Sequence, residues 1–204
     1  MSHRFAEIAF TDAVKAAQTR NGSRAQNQRL EDRAGPNATL TERETAFIAA
    51  RDSFYLATVS ETGWPYVQHR GGPQGFLKVI DPGTLAFADF GGNRQFVSVG
   101  NAATNDRVAL FLMDYAHQTR LKLLGRMRMF DLGEAPPELV FEVELPDYRA
   151  RIERVAVIEV EAFDWNCPQH ITPRFTEDEV RAAVQPLHDR IGALEAELAR
   201  RRAG

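Results

Sequence analysis

The chain carries a single cysteine, Cys167, among 204 residues, which excludes an intrachain disulfide and a multi-cysteine zinc site. It has no apolar run of the ~18 residues that a membrane helix needs, and its opening, MSHRFAEIAF, lacks the charged-then-apolar layout of a secretory signal. The expectation is a soluble, cytoplasmic protein with no membrane partner. Net charge is also small: 25 Lys and Arg against 28 Asp and Glu leave −3. That balance supplies no global field for gripping nucleic acid, so duplex binding is set aside. His3, His69, His117, His170 and His188 are scattered without metal-ligand spacing, and no metal site is expected. No repeat stands out at the periods of solenoids or propellers.

With 44% hydrophobic residues, the chain can bury a full core as one domain with terminal extensions. Apolar positions at roughly helical spacing predict one amphipathic helix over residues 4–18. Residues 19–39, polar and broken by Asn21-Gly22 and Gly35-Pro36, read as an arm or loop. Thr41 with Glu44 three residues on forms a capping-box pattern, which predicts a helix running to about Arg51. Aromatic and β-branched texture then predicts strands at residues 53–60, 65–69, 75–80, 84–89, 108–115, 120–132 and 155–163. The first two form a hairpin around Glu61-Thr62-Gly63. Lacking regular helical crossovers, these segments favour a mainly β fold: a six- to seven-stranded antiparallel barrel with flanking helices.

Three further segments complete the layout. NRQFVSVGN, from Asn93, reads as a helix opening just after Gly91-Gly92, and residues 136–149 fit either a helix or an extended piece. Residues 176–202 are helical in composition, with a second capping box at Thr176 and Glu179. Leu187, Ile191, Leu194 and Leu198 fall at spacings of four, three and four. Pro186 is expected to kink or divide this helix. Both a helix packed on its own domain and a partner-facing helix fit that seam. The domain organisation expected is an N-terminal helix and arm over 1–40, a barrel domain over 41–175 and a C-terminal helix over 176–204.

Two arginine-marked glycine turns carry the chemistry. FGGNRQ combines Gly91 and Gly92, which free the backbone, with Asn93 as a helix cap, Arg94 as an anion clamp and Gln95 as an amide donor. A phosphate site needs that combination of backbone donors, helix N-terminus and cation. An ordinary capped turn with a solvated arginine is the plainer alternative. QHRGGPQGFLK places Arg70 at a strand end before Gly71 and Gly72, where backbone amides can meet the polar edge of a flat ring. Lys78 is either a second phosphate cation or a strand-surface charge. In RLKLLGRMR, alternation puts Arg120 and Lys122 on one strand face, and Gly125 marks a candidate bulge. After the last strand, DWNCPQHI sets Trp165, Asn166, Gln169 and His170 around Pro168 in a rigid polar loop. Cys167 and His170 lack the third group and oxyanion site that nucleophilic catalysis requires, so Cys167 reads as a packed residue.

Together, the hairpin, the RGG turn, Lys78, the NRQ turn and the RLKLLGR strand resemble the pyridoxamine 5′-phosphate oxidase-like, FMN-binding split-barrel family. The likeness spans about residues 40–175. It is nearest to the broad flavin-binding branch with an NCPQHI-type loop, because this chain ends in a helix rather than in the arginine-bearing tail of the pyridoxamine phosphate oxidases proper. The resemblance implies FMN as cofactor. It implies phosphate held by Asn93, Arg94 and Gln95, where the family's Ser-Arg-Lys has lost its last cation, and flavin contacts from Arg70, Gly71, Gly72, Lys78 and Arg120. It further implies a homodimer with flavin at the interface, touched by Trp165, Asn166 and Gln169, and hydride transfer through the flavin, with His170 as the candidate proton donor. A non-catalytic flavin sensor or carrier, or the same barrel holding haem or a deazaflavin, stands beside that reading.

Overall fold

β-branched and aromatic residues in alternation build a seven-stranded sheet in the computed structural model, which describes residues 3–32, 38–165 and 169–203. The strands are β1 (Ser53–Val59), β2 (Pro65–Gly71), β3 (Lys78–Asp81), β4 (Thr84–Phe90), β5 (Arg107–Asp114), β6 (Thr119–Asp131) and β7 (Ile152–Trp165). Their order is β2-β1-β5-β6-β7-β4-β3, with every neighbouring pair antiparallel. The mainly β, seven-stranded expectation holds, although the hydrogen-bonded ladder does not close: β2 and β3 are its edges. The Gly35-Pro36 break and Asn166, Cys167 and Pro168 lie outside the described residues.

The described residues divide into two compact units, one within Met1–Asp114 and Thr119–Cys167, the other within Tyr115–Gln118 and Pro168–Gly204. In the first, period-2 alternation points Phe54 and Leu56 of β1, Leu110 and Leu112 of β5, and Leu121, Leu123 and Met127 of β6 into one core. Phe54 stacks on Phe76 at 5.6 Å and meets Phe87 edge-on at 5.3 Å. The segment 136–149 resolves as helix α6 (Pro137–Val143), whose Val143 covers Ala86 and Ala88 of β4 and Val155 of β7 from the other face. The β1–β2 turn needs a left-handed residue, and Gly63 supplies it at φ 83°.

Gly125 sits at a register shift: Leu124 pairs with Ala162 and Gly125 with Val160, leaving Glu161 unopposed. A Cβ at Gly125 would lie 2.5 Å from the Glu159 carbonyl oxygen, so only glycine fits. The displaced Glu161 takes Arg126 at 2.9 Å and Arg4 at 3.1 Å, fastening the N-terminal helix to the sheet.

The N-terminal residues differ from the expected helix and loop. Two helices, α1 (Arg4–Ala9) and α2 (Asp12–Arg20), replace one because the Thr11 side chain accepts from Val14 N and starts a new helix. The expected arm contains helix α3 (Arg24–Glu31), whose Arg24 bonds Gln18 at 2.8 Å and Glu31 at 2.6 Å. These polar bonds, rather than an apolar periodicity, hold the helix. Helix α4 (Glu42–Ala49) keeps its capping box, and Glu44 also accepts from Trp165 Nε1 at 2.7 Å. Trp165 in turn packs edge-on against Phe47 and beneath the Arg43 guanidinium. Helix α5 (Val97–Thr104) begins four residues later than expected, for reasons that belong to the site.

In the second unit, Gln118 Nε2 donates to the Ile171 carbonyl at 2.6 Å and Arg174 lies over the Tyr115 ring. Helix α7 (Glu177–Ala203) opens on the predicted capping box, with Thr176 N donating to Glu179 at 2.7 Å. It runs through Pro186 as one helix instead of dividing there. No helix among the described residues is long and apolar enough to cross a membrane.

Two stability outcomes follow. Burial pushes the Glu44 carboxyl up, but hydrogen bonds from Thr41, Trp165 and backbone N–H groups outweigh it and hold its pKa below the usual value. A depressed carboxylate stabilises the fold above its unfolded-state pKa and loses that contribution as pH falls through the folded-state one. The gap in urea midpoint between wild type and Glu44→Gln should therefore be wide at neutral pH and narrow as pH drops below ~4. Gly125→Ala should cost about 1–3 kcal/mol or more by overpacking, read as a lower urea midpoint. Gly133→Ala, with nothing within 4 Å of its Cβ position, should leave the midpoint unchanged.

Candidate functional site

Although β2 and β4 stand far apart in the ladder, the Arg70 guanidinium at the end of β2 reaches Asp89 near the end of β4 at 2.5 Å. Asp89, 3% exposed, also accepts from Arg154 Nε of β7 at 2.7 Å, and Arg154 bonds Glu153 at 2.9 Å. Burial opposes the charged Arg154 guanidinium, yet the Asp89 and Glu153 carboxylates more than offset it and raise its pKa. Side chains thus join the sheet across its gap where backbone hydrogen bonds do not.

Over this join lies a pocket of about 170 Å³. Its floor is Gln68, Arg70, Asp89 and Arg154, and its wall is the loop from Gly92 to Phe96 with the first turn of α5. Arg94 and Phe96 both adopt left-handed backbone, φ 59° and 54°, which delays the helix. Asn93 therefore does not cap α5. Its Oδ1 accepts from Gln95 N at 3.1 Å, within the loop, and the cap position is Phe96, which has no side-chain cap bond. The first N–H groups of α5 are left without a side-chain partner at the pocket wall, a geometry suited to an anion. Two bonds pin the helix in place: Ser98 to Gln68 at 2.8 Å and Asn101 to Thr58 at 2.9 Å. Phe96 is clamped under the Arg154 guanidinium, 4.7 Å from its ring centre.

Of the sequence-derived candidates, Arg70, Asn93, Arg94 and Gln95 line this one pocket. Arg70 Nε is itself buried without a hydrogen-bond partner, an uncommon state for a charged donor. Other candidates stand elsewhere in the first unit. A Cβ at Gly72 would fall 2.8 Å from Phe76 Cγ, and Gly71 packs beside His69, so both glycines accommodate neighbouring side chains. Lys78 pairs with Ala86 on the β3 edge, Arg120 lies over Phe111 at the start of β6, and Trp165 is engaged by α4. Lys122, on the same β6 face as Arg120, is held by Asp164 at 2.5 Å. Gln169 and His170 belong to the second unit, His170 with φ 65°. Asn166 lies outside the described residues.

Sequence reasoning missed Asp89, Arg154, Gln68 and Ser98. Asp89 left a signal: a lone acid in the apolar strand LAFADF, just before the double glycine. A larger cavity of about 570 Å³ lies between α1, the ends of β1 and β5 and the middle of β6, lined largely by Ala57, Val59, Val108, Ala109 and Leu124. None of the sequence-derived candidates lines it.

A search of curated protein sequences finds no match. Among solved structures, HupZ from Group A Streptococcus aligns at TM-score 0.50 with 14% identity, over 67% of this chain and 99% of that one. This likeness supports the fold alone. An FMN-binding protein from Syntrophomonas wolfei aligns at 0.45 with 13% identity, over 74% and 96%. General stress protein 26 from Bacillus anthracis aligns at 0.41 with 15% identity, over 65% and 93%. The pyridoxamine 5′-phosphate oxidase family profile matches residues 40–166, the span that contains all seven strands and the arginine-marked pocket. The chain belongs to the pyridoxamine 5′-phosphate oxidase-like split-barrel family.

Proposed function

We propose that this protein is an FMN-dependent oxidoreductase whose barrel, residues 41–175, holds the flavin phosphate between Arg94 and the start of α5. The observation that carries the reading is the convergence of Arg70 and Arg94 on one concavity. The fit to a flavin nucleotide is good at its phosphate end. Arg94 is exposed and can close on the phosphate; Asn93 and Gln95 shape the loop whose amides face it. Arg70 is tethered by Asp89 and lines the same pocket.

The pocket is too small for the whole cofactor. At about 170 Å³ it falls below the ~300–1,000 Å³ of ordinary small-molecule sites, which supports a site completed by a second copy of the chain. Gly71, Gly72, Lys78, Arg120, Trp165, Asn166 and Gln169 are then the proposed contacts for the rest of the flavin, with His170 as the proposed proton donor; family resemblance is what supports these. The bound flavin would supply hydride acceptance and donation. The chain's part is to fix the phosphate, exclude water and orient the ring.

A flavin carrier without turnover is the second reading. It is favoured by the engagement of both lining acids, Asp89 and Glu153, with arginines, which leaves neither free to deliver a proton. The visible spectrum of the purified protein separates flavin from haem or deazaflavin, and reduction by a nicotinamide cofactor separates turnover from storage.

Arg94→Ala should weaken FMN by about 1.5–3 kcal/mol, the worth of a charged hydrogen bond, or roughly tenfold to a hundredfold in Kd. Unchanged affinity by fluorescence titration removes the phosphate assignment. If two chains share the site, flavin occupancy should fall as the protein is diluted through its dimer dissociation range; occupancy independent of dilution contradicts sharing.

A further inference from the structure

Helix α7 buries none of its residues. Val180, Leu187, Ile191, Leu194 and Leu198 are 41–63% exposed, unusual for large aliphatic side chains. With half-buried Val184 they form one stripe, Val180-Val184-Leu187-Ile191-Leu194-Leu198, at spacings of four, three, four, three and four. That is an uninterrupted a/d heptad seam about 27 Å long at 1.5 Å per residue. Pro186 and Gly192, the two residues least suited to a helix, fall at outer c and b positions, away from it.

We propose that α7 pairs with α7 of a second copy of this chain as a parallel, in-register two-stranded coiled coil. Two observations choose this occupant. First, the central four core positions fit: β-branched Val184 and Ile191 stand at a with Leu187 and Leu194 at d, the combination that favours two parallel strands, flanked by Val180 at d and Leu198 at a. Second, the flanking charges complement themselves. In a parallel pair each g residue faces the e residue of the next heptad on the partner, which sets Arg190 against Glu195 and Glu197 against Arg202. Every charged g position therefore meets an opposite charge on an identical helix. An antiparallel pair centred on the same stripe sets Arg181 against Arg202 instead. Arg190 and Glu195 have no ion-pair partner within their own chain among the described residues, while Glu197 is held by Arg201 one turn on, at 2.5 Å.

The test is thiol cross-linking of the full chain in a Cys167→Ser background. Leu198→Cys places thiols at facing a positions of a parallel pair, whereas Ala199→Cys, one residue on, places them outside. Under mild oxidation at micromolar chain, Leu198→Cys should form its homodisulfide roughly tenfold or more faster than Ala199→Cys, because only the a-position thiols face each other within disulfide reach. Arg190→Glu should slow it and Arg190→Glu with Glu195→Arg should restore it, with flavin binding unaffected in all three. Equal rates at 198 and 199, fast cross-linking of Val180→Cys to Leu198→Cys instead, or no rescue by the double charge swap would each overturn the proposal. The comparison of two neighbouring positions distinguishes a paired helix from chains merely held together through their barrels.

Discussion

One carboxylate holds the barrel together where the sheet does not. Asp89 receives Arg70 from one sheet edge and Arg154 from the strand beside its own, and all three are largely withdrawn from water. A lone charge in that position would be strongly unfavourable, and even a pair gains less from Coulomb attraction than it loses in hydration unless the remaining hydrogen-bond capacity is used. Here both Asp89 oxygens are taken. Such a cluster contributes less to net stability than to uniqueness: it permits only one way for β2 to lie against β4. Apolar contacts such as Phe54 on Phe87 could slide; a carboxylate bridging two guanidiniums cannot.

That constraint shapes the pocket. Arg70 is fixed by Asp89 at the pocket floor, and with Arg154 fixed by Asp89 and Glu153, its planar face is available to cover Phe96. Phe96 in turn accepts left-handed backbone, as Arg94 does two residues earlier, at a cost of ~1–2 kcal/mol for each such residue. The loop is kept there from both ends. Asn93 folds it upstream, and downstream the buried Ser98–Gln68 and Asn101–Thr58 bonds anchor α5 to the hairpin. Strain of this kind persists only where the surrounding structure over-determines it, and here both ends of the loop do.

The strands were legible in the sequence because alternation and turn chemistry are local. Residues 53–60, 84–89 and 108–115 needed only their own side chains to be recognised, and Gly125 marked its bulge through an unusual glycine in an apolar strand. The two arginine turns were legible as separate motifs for the same reason. Their meeting was not, since it depends on Asp89 and Arg154, 65 residues apart in sequence, and neither residue belongs to a recognisable motif. Trp165 is a further long-range case: nothing local in the sequence shows that its indole N–H is taken by Glu44, 121 residues away, which ties α4 to the last strand. Helix α3 escaped notice because Arg24, Gln18 and Glu31 hold it by polar bonds rather than by an apolar stripe.

The arrangement also divides labour between the two arginines that first marked the site. Arg70 and Arg154 are matched by Asp89 and Glu153, so those four side chains sum to no net charge, and the folded protein is not strained by self-repulsion when the pocket is empty of anions. The surplus positive charge is Arg94 alone, reinforced by the amide end of α5. Because Arg94 is exposed, its charge is hydrated and screened, and it carries little weight in folding. Arg70 is the reverse: its guanidinium is part of the fold through Asp89. Substitutions at the two positions therefore differ in kind: at Arg70 the barrel itself is at stake, and at Arg94, on the proposed function, only the binding of the phosphate.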